Sequence, residues 1–324
     1  MTGIKIAGTG SYLPEFELTN ELLETIVETN DEWITSRTGI KSRRTADGET
    51  NLFMSTASCK SAIENAGIDK KDIAAVICAT FTNDYYTPSV ACLLQRDLGL
   101  NEGTLAFDLN AACSGFLYGM HTAYSLLRNT PDKYALVVGT DLVSNVLDYT
   151  DRSTCILFGD GSGAAVIGLD KDSPYYFTPG SIGNDTSLYC PSNVTPNNPF
   201  RKNKRKSSAP FIFMEGSEVF KFAVESIKKC ISQTLAAAGV AIGEIDHFVL
   251  HQANGRIIAT AAKRLGAPIE KFFMNIGKYG NTSAASIPIA LAEMNQNGMF
   301  RRGDKVVACA FGGGLTYGAS YFTF

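Results

Sequence analysis

The chain repeats itself, and that limits its folds more than any other feature. An Ala66-Gly67 pair closes a helical pattern ahead of the strand Ile73-Ala-Ala-Val-Ile-Cys78; Ala238-Gly239 and Ile245-Asp-His-Phe-Val-Leu250 repeat it, with both Ala-Gly pairs and both opening Ile residues 172 apart. Helical segments ending in Leu98-Gly99 and Leu265-Gly266 follow at an offset of 167. The later strands Tyr134–Val138 and Lys305–Ala308 match by their Val pairs at 169. Several agreements at offsets within five residues of one another point to duplication rather than to the generic recurrence of α/β elements. Short β-branched runs alternating with helices imply stacked α/β layers. At 324 residues the chain is long enough for two such halves, expected at 1–170 and 171–324.

Composition excludes several function classes. A net charge of −3 argues against bulk nucleic-acid binding. No run of 18 apolar residues predicts a membrane span. Met1-Thr-Gly-Ile-Lys-Ile leads directly into a strand without a signal-peptide pattern. The eight cysteines form no CxxC pair or metal-ligand cluster, which predicts reduced thiols, a cytoplasmic protein and no metal site. Between the halves, Tyr189-Cys-Pro-Ser-Asn-Val-Thr-Pro-Asn-Asn-Pro is turn-rich. Arg201-Lys-Asn-Lys-Arg-Lys206 then places five cations in six residues, which reads as a solvated loop, or as an attractor of an acidic partner.

Each half carries a strand-to-helix junction with chemical potential. Cys113 follows the strand Thr104–Leu109, and Phe116, Leu117, Met120, Ala123, Tyr124 and Leu127 then recur at helical spacing. A thiol at a helix's first turn feels the positive end of the dipole, which favours thiolate; a small buried core residue is the plain alternative. Of three histidines, His251 ends an apolar strand beside Gln252 and Asn254, at the end of a sheet where α/β sites form. His247 lies four residues back, and His121 lies on the Cys113 helix, where packing explains it. Asn281 opens the second junction, Tyr279-Gly-Asn-Thr-Ser-Ala-Ala-Ser, where an N-cap is the ordinary role. Phe311-Gly-Gly-Gly314 could bring backbone N–H groups to a ligand or form a tight turn. Cys, His and Asn together admit papain-like hydrolysis, with Asn orienting His. They equally admit acyl transfer with carbon–carbon bond formation, with His and Asn donating to an enolate oxygen.

The chain resembles the β-ketoacyl-acyl carrier protein synthase III family, the priming condensing enzymes of fatty-acid synthesis. The resemblance runs through Asn30-Asp-Glu-Trp33-Ile-Thr-Ser-Arg37, the Cys113 segment, Asp151-Arg152, Phe158-Gly-Asp-Gly-Ser-Gly163 and Gly216-Ser-Glu-Val-Phe-Lys221. It continues through His251-Gln-Ala-Asn-Gly-Arg256, Asn281-Thr-Ser-Ala-Ala-Ser-Ile-Pro288 and Phe311-Gly-Gly-Gly314. It implies an α/β thiolase-like fold of two duplicated halves in a five-layered α-β-α-β-α arrangement, in a homodimer. It implies that Cys113 takes an acyl group from coenzyme A, with the backbone N–H groups of Cys113 and Gly313 holding the carbonyl oxygen. His251 and Asn281 would then stabilise the enolate formed as malonyl-acyl carrier protein loses carbon dioxide. Coenzyme A thioester is substrate, and no cofactor is implied.

The same resemblance assigns Trp33 and Arg152 to the adenine, Arg37 and Arg256 to phosphates, and Gly216 and Asn254 to the pantetheine. Lys221, Arg256, Lys263 and Arg264 would receive the acidic carrier protein, and Thr87, Phe158 and Phe311 would shape the acyl pocket. Thr87 stands where some relatives place a bulky aromatic that the partner subunit inserts, so a primer larger than acetyl is expected. Relatives with this motif set also serve secondary metabolism. A thioester hydrolase and an inactive acyl-binding scaffold are the rival classes. A thiolase-type second cysteine is disfavoured: Cys309 shares Phe311's side of its strand.

Overall fold

Apolar strands buried on both faces need cover on both faces, and the fold supplies it by layering. The computed structural model describes residues 2–130, 133–192 and 210–324. Among these, the first main sheet runs in the order Gly3–Tyr12, Gly161–Asp170, Tyr134–Asp141, Ile73–Ala79, Leu105–Leu109. Its first two pairings are antiparallel and its last two parallel. The second runs Tyr175–Asn184, Gly314–Thr323, Lys305–Gly312, His247–Leu250, with two antiparallel pairings and then a parallel one. Where the first sheet adds its fifth strand, the second has a single parallel bridge, Phe248 to Phe272.

Side-chain alternation sorts the core. In the strand Tyr134–Asp141, Ala135 and Val137 face a central cluster, while Leu136 and Val138 face an outer one. In Lys305–Gly312, Val306, Ala308 and Ala310 face that same centre, while Val307, Cys309 and Phe311 face outward. The middle layer consists of the helices Gly115–Leu127 and Ser286–Gln296, whose Phe116, Met120, Ile287 and Leu291 are at most 1% exposed. Asn51–Ala66 and Val90–Asp97 cover one outer face, and Gly216–Ala238 and Gly255–Leu265 the other. The arrangement is α-β-α-β-α. The repeated Ala-Gly signal is a helix stop: Gly67 and Gly239 cap their helices at φ +62° and +67°, the left-handed region that glycine enters without a Cβ penalty.

The two junctions repeat in backbone detail. Ala112 (φ +45°) opens the one-turn 3-10 segment Ala112–Ser114 before the helix from Gly115. Ser283 (φ +51°) opens Ser283–Ala285 before the helix from Ser286. Non-glycine residues at positive φ are uncommon and concentrate at functional sites. The thiol therefore sits in a tight turn ahead of the α-helix, not in its first α-turn. The junctions meet between the sheets, where Cys113 Sγ lies 3.5 Å from Ser283 Oγ.

Candidate active site

Cys113 owes its position to three close packings. Gly115 presses against Ala79, Gly119 against Val137, and Gly312 against Cys113 itself: a Cβ built on Gly312 would stand 2.8 Å from Cys113 N. Gly312 lies 171 residues after Asp141, at the same end of the matching strand. In the first half the Asp141 carboxylate accepts the Ala284 N–H at 3.3 Å; Gly312 has no side chain to take the corresponding Cys113 N–H. Burial pushes the Cys113 thiol up to about 12, opposed by the hydrogen bond with Ser283 and reinforced by the Asp141 charge. The helix terminus favours thiolate, and desolvation favours the thiol.

His251 follows its strand directly. Its backbone N–H donates to the Cys309 carbonyl at 2.8 Å, and its Nδ1 is 2.6 Å from Ser286 Oγ. Its ring meets Phe311 edge to face, centroids 5.3 Å apart. Only 1% of the residue is exposed, and burial lowers its pKa to about 3, so the imidazole is neutral. The backbone of Asn281 is gripped by the other half: its N–H donates to Leu157 O at 2.8 Å and its carbonyl accepts from Gly159 N at 3.0 Å. Its Oδ1 accepts the Ser283 N–H at 2.9 Å. The ordinary capping role is thus met by the oxygen, which leaves the amide NH2 as the group to offer a ligand.

Cys113, His251 and Asn281 line one cavity of about 540 Å³, together with Phe158, Phe311 and Gly313. A papain-like triad needs Asn to orient His. Here Asn281 Oδ1 holds a backbone N–H and Ser286 holds the imidazole, so the hydrolase geometry is not formed. What remains beside the sulfur are N–H donors, which suit a developing oxyanion.

The other expected residues divide. Gly216 and Asn254 line the same cavity, and Asn254 also caps its helix by accepting the Arg256 N–H. Its Nδ2 donates to Arg37 O at 3.2 Å, which ties the cavity to the helix Asp31–Thr38. On that helix the Arg37 guanidinium stands 4.9 Å from the Trp33 ring, and Arg152, from the short helix Arg152–Cys155, stands 5.2 Å from it. Trp33, Arg37, Arg152 and Arg256 do not line the cavity itself. Lys221, Arg256, Lys263 and Arg264 are exposed on the outer helices. Lys221 pairs with Glu218 and Arg264 with Glu225, local pairs of small energetic weight.

Thr87 is expected at the acyl pocket of the partner subunit rather than of its own chain. Thr87 does not line the cavity of its own chain; it is exposed on the surface loop ahead of Val90–Asp97. His121 stacks on Phe177 at 4.9 Å, away from the cavity. Cys309 is fully buried against Cys230, sulfurs 3.5 Å apart. The basic run 201–206 lies outside the described residues. Among the described residues, no group of three His, Cys, Asp or Glu could hold a metal, and no helix is long and apolar enough to cross a membrane.

Residues that sequence reasoning missed support the site from beneath. Asp141, fully buried, accepts from Thr80 Oγ1, Phe81 N and Thr82 Oγ1 at 2.9–3.0 Å as well as from Ala284 N. Like His251, it is a polar residue closing an apolar strand, and that was the available signal. Gln252 spans Leu250 O, Phe273 O and the N–H groups of Asn275 and Ile276. Arg43, fully buried, donates to Leu18 O, Asn20 Oδ1 and Ile156 O, bracing the segment that leads to Phe158.

Comparison with known proteins agrees with this geometry. Residues 107–185 match the family described as 3-Oxoacyl-[acyl-carrier-protein (ACP)] synthase III, and residues 235–324 match its C-terminal counterpart. The chain is 46% identical over 322 residues to a β-ketoacyl-acyl-carrier-protein synthase III of Clostridium acetobutylicum, covering 98% of each. It is 45% identical over 323 residues to one from Clostridium botulinum, again covering 98% of each. A crystal structure of 3-oxoacyl-acyl-carrier-protein synthase III from Aquifex aeolicus superposes with a TM-score of 0.92 at 43% identity, covering 99% of this chain and 100% of that one.

Proposed function

The chain belongs to the 3-oxoacyl-acyl carrier protein synthase III family, and on that premise we propose how its residues prime fatty-acid synthesis by decarboxylative condensation. Cys113 attacks the carbonyl carbon of an acyl-coenzyme A; the coenzyme A thiol leaves, and a thioester to Cys113 remains. The Cys113 and Gly313 N–H groups receive the oxyanion of that step. Loading includes loss of the Cys113 proton, which ends on the departing coenzyme A sulfur, so that a thiol is exchanged for a thiol.

Malonyl-acyl carrier protein then binds with its thioester oxygen between His251 and the Asn281 amide. Carbon dioxide departs, and the C–C electron pair becomes an enolate stabilised by those two donors. The enolate carbon attacks the Cys113 thioester, forming the new carbon–carbon bond and releasing the sulfur as thiolate, which regains a proton. Decarboxylation creates the carbanion, so no strong base is required, which accords with an imidazole lowered to about 3. The observation that carries this reading is the hydrogen-bond pattern: His251 Nδ1 and Asn281 Oδ1 are engaged elsewhere, so each can turn an N–H toward one oxygen.

Around that centre we place coenzyme A along Asn254 and Gly216, its adenine at Trp33 and Arg152 and its phosphates at Arg37 and Arg256. The carrier protein docks on Lys221, Arg256, Lys263 and Arg264. The two duplicated halves are 1–170 and 171–324. The enzyme works in the cytoplasm as a homodimer without a cofactor. The strand Leu105–Leu109 supports the dimer: among the described residues it pairs on one side only, and Leu105 is 49% exposed, an edge that proteins normally cover. In that dimer the role given to Thr87 is at the partner subunit's acyl pocket. Incubation with acetyl-, isobutyryl- and octanoyl-coenzyme A plus malonyl-carrier protein tests the reading. The expected product is 3-oxoacyl-carrier; free acid alone would mean a hydrolase, and strict acetyl preference would remove the role given to Thr87.

A further inference from the structure

Ser286 is the first residue of the central helix Ser286–Gln296 and is 2% exposed. Its Oγ lies 2.6 Å from His251 Nδ1 and accepts the Gln252 N–H at 3.4 Å. A serine hydroxyl carries one hydrogen. Among the described residues, its only side-chain or backbone acceptor is His251 Nδ1. If Nδ1 carried the ring proton instead, it would donate to Ser286, and the serine's own hydrogen would be buried without an acceptor. An unsatisfied buried donor costs enough to shift a tautomer ratio by roughly five- to a hundredfold.

We propose that Ser286 is a positioning residue: it donates to His251 Nδ1 and thereby fixes the proton on Nε2, the nitrogen left to face the cavity. The two tautomers have opposite consequences. With the proton on Nε2, the ring donates to a substrate oxygen; with it on Nδ1, the ring presents a lone pair to that oxygen and repels it. The hydroxyl also sets the ring plane against Phe311. Gln252 joins this device through its backbone, while its side chain anchors the 273–276 segment, so the serine is held from a rigid base. The second junction thus supplies two residues to the site, Asn281 directly and Ser286 through His251. This inference rests on His251 acting as the enolate-oxygen donor.

Selective 15N labelling of histidine tests it. With three histidines in the chain, a His251→Asn variant assigns the His251 signals. The native enzyme is expected to show a protonated Nε2 and an unprotonated, hydrogen-bonded Nδ1. Ser286→Ala is expected to give a mixed or inverted tautomer pattern. Its malonyl-carrier decarboxylation should fall by roughly ten- to a hundredfold, somewhat less than losing an oxyanion donor outright, while acyl loading of Cys113 stays native. Ser286→Thr, which keeps the hydroxyl, should recover the Nε2–H signature. A proton on Nδ1 in the native enzyme overturns the inference, as does an unaltered tautomer in Ser286→Ala whatever its rate. If His251→Ala decarboxylated normally, the reading of His251 itself would fall, and the tautomer data would still decide what Ser286 does.

Discussion

Gly312→Ala places a methyl group where the fold has the least room. The new Cβ would stand 2.8 Å from Cys113 N and 2.9 Å from Cys113 Cβ, about 0.6 Å inside the 3.4 Å at which ordinary contacts begin. Cys113 cannot retreat, because Gly115 and Gly119 already hold its helix against Ala79 and Val137. Overpacking of this kind costs about 1–3 kcal/mol of stability. The kinetic cost is larger: displacing a nucleophile by a large fraction of an ångström is worth on the order of 10²-fold. A methyl over the Cys113 N–H adds loss of an oxyanion donor, on the order of 10²–10³-fold. Single-turnover release of coenzyme A from acyl-coenzyme A is the assay, with thermal unfolding measured in parallel. Gly313→Ala is the control, since its nearest contacts would be 3.6 and 3.7 Å; it should load far faster than Gly312→Ala. Native loading by folded Gly312→Ala would refute the claim that this glycine keeps the oxyanion position open.

Three further outcomes follow from the same structure. Burial takes His251 from the ordinary 6.5 to about 3, so the unfolded chain binds its proton first. The stability gained by keeping it neutral is complete above pH 6.5 and is lost as pH falls toward 3. His251→Asn should therefore flatten the decline in urea midpoint between pH 6.5 and 4, and an unchanged decline would contradict the assignment. Trp33→Ala should raise the KM for acyl-coenzyme A by roughly five- to thirtyfold, from about 1–2 kcal/mol of lost stacking. It should leave acyl-pantetheine unaffected, and equal losses on both substrates would remove Trp33 from adenine binding. Cys309→Ala should cost about 1 kcal/mol of stability and leave condensation intact; a collapsed rate would revive a second-cysteine mechanism.

Much of the fold was legible because duplication prints itself on helix stops and strand starts. Ala-Gly pairs at one offset became left-handed caps, and doubly buried strands read as apolar runs. Cys113, His251 and Asn281 were legible as chemistry at strand ends and turns. Their electrostatics were not: thiol burial depends on Gly312 and Ser283, which only tertiary packing brings to the sulfur. Ser286 was illegible for the same reason, since a serine in Ala-Ala-Ser-Ile-Pro looks like an ordinary helix residue, whereas Asp141 carried the strand-end signal that marks His251.

The central claim is a division of labour: sulfur carries the acyl group, and His251 with Asn281 handles the malonyl oxygen. Intact-protein mass spectrometry of Asn281→Ala, first with acyl-coenzyme A and then with malonyl-acyl carrier protein, tests it most directly. The account predicts an acyl mass on Cys113 that appears at the native rate and persists when the malonyl carrier is added. Failure of the variant to load, or loss of the adduct into 3-oxoacyl-carrier at the native rate, would contradict it.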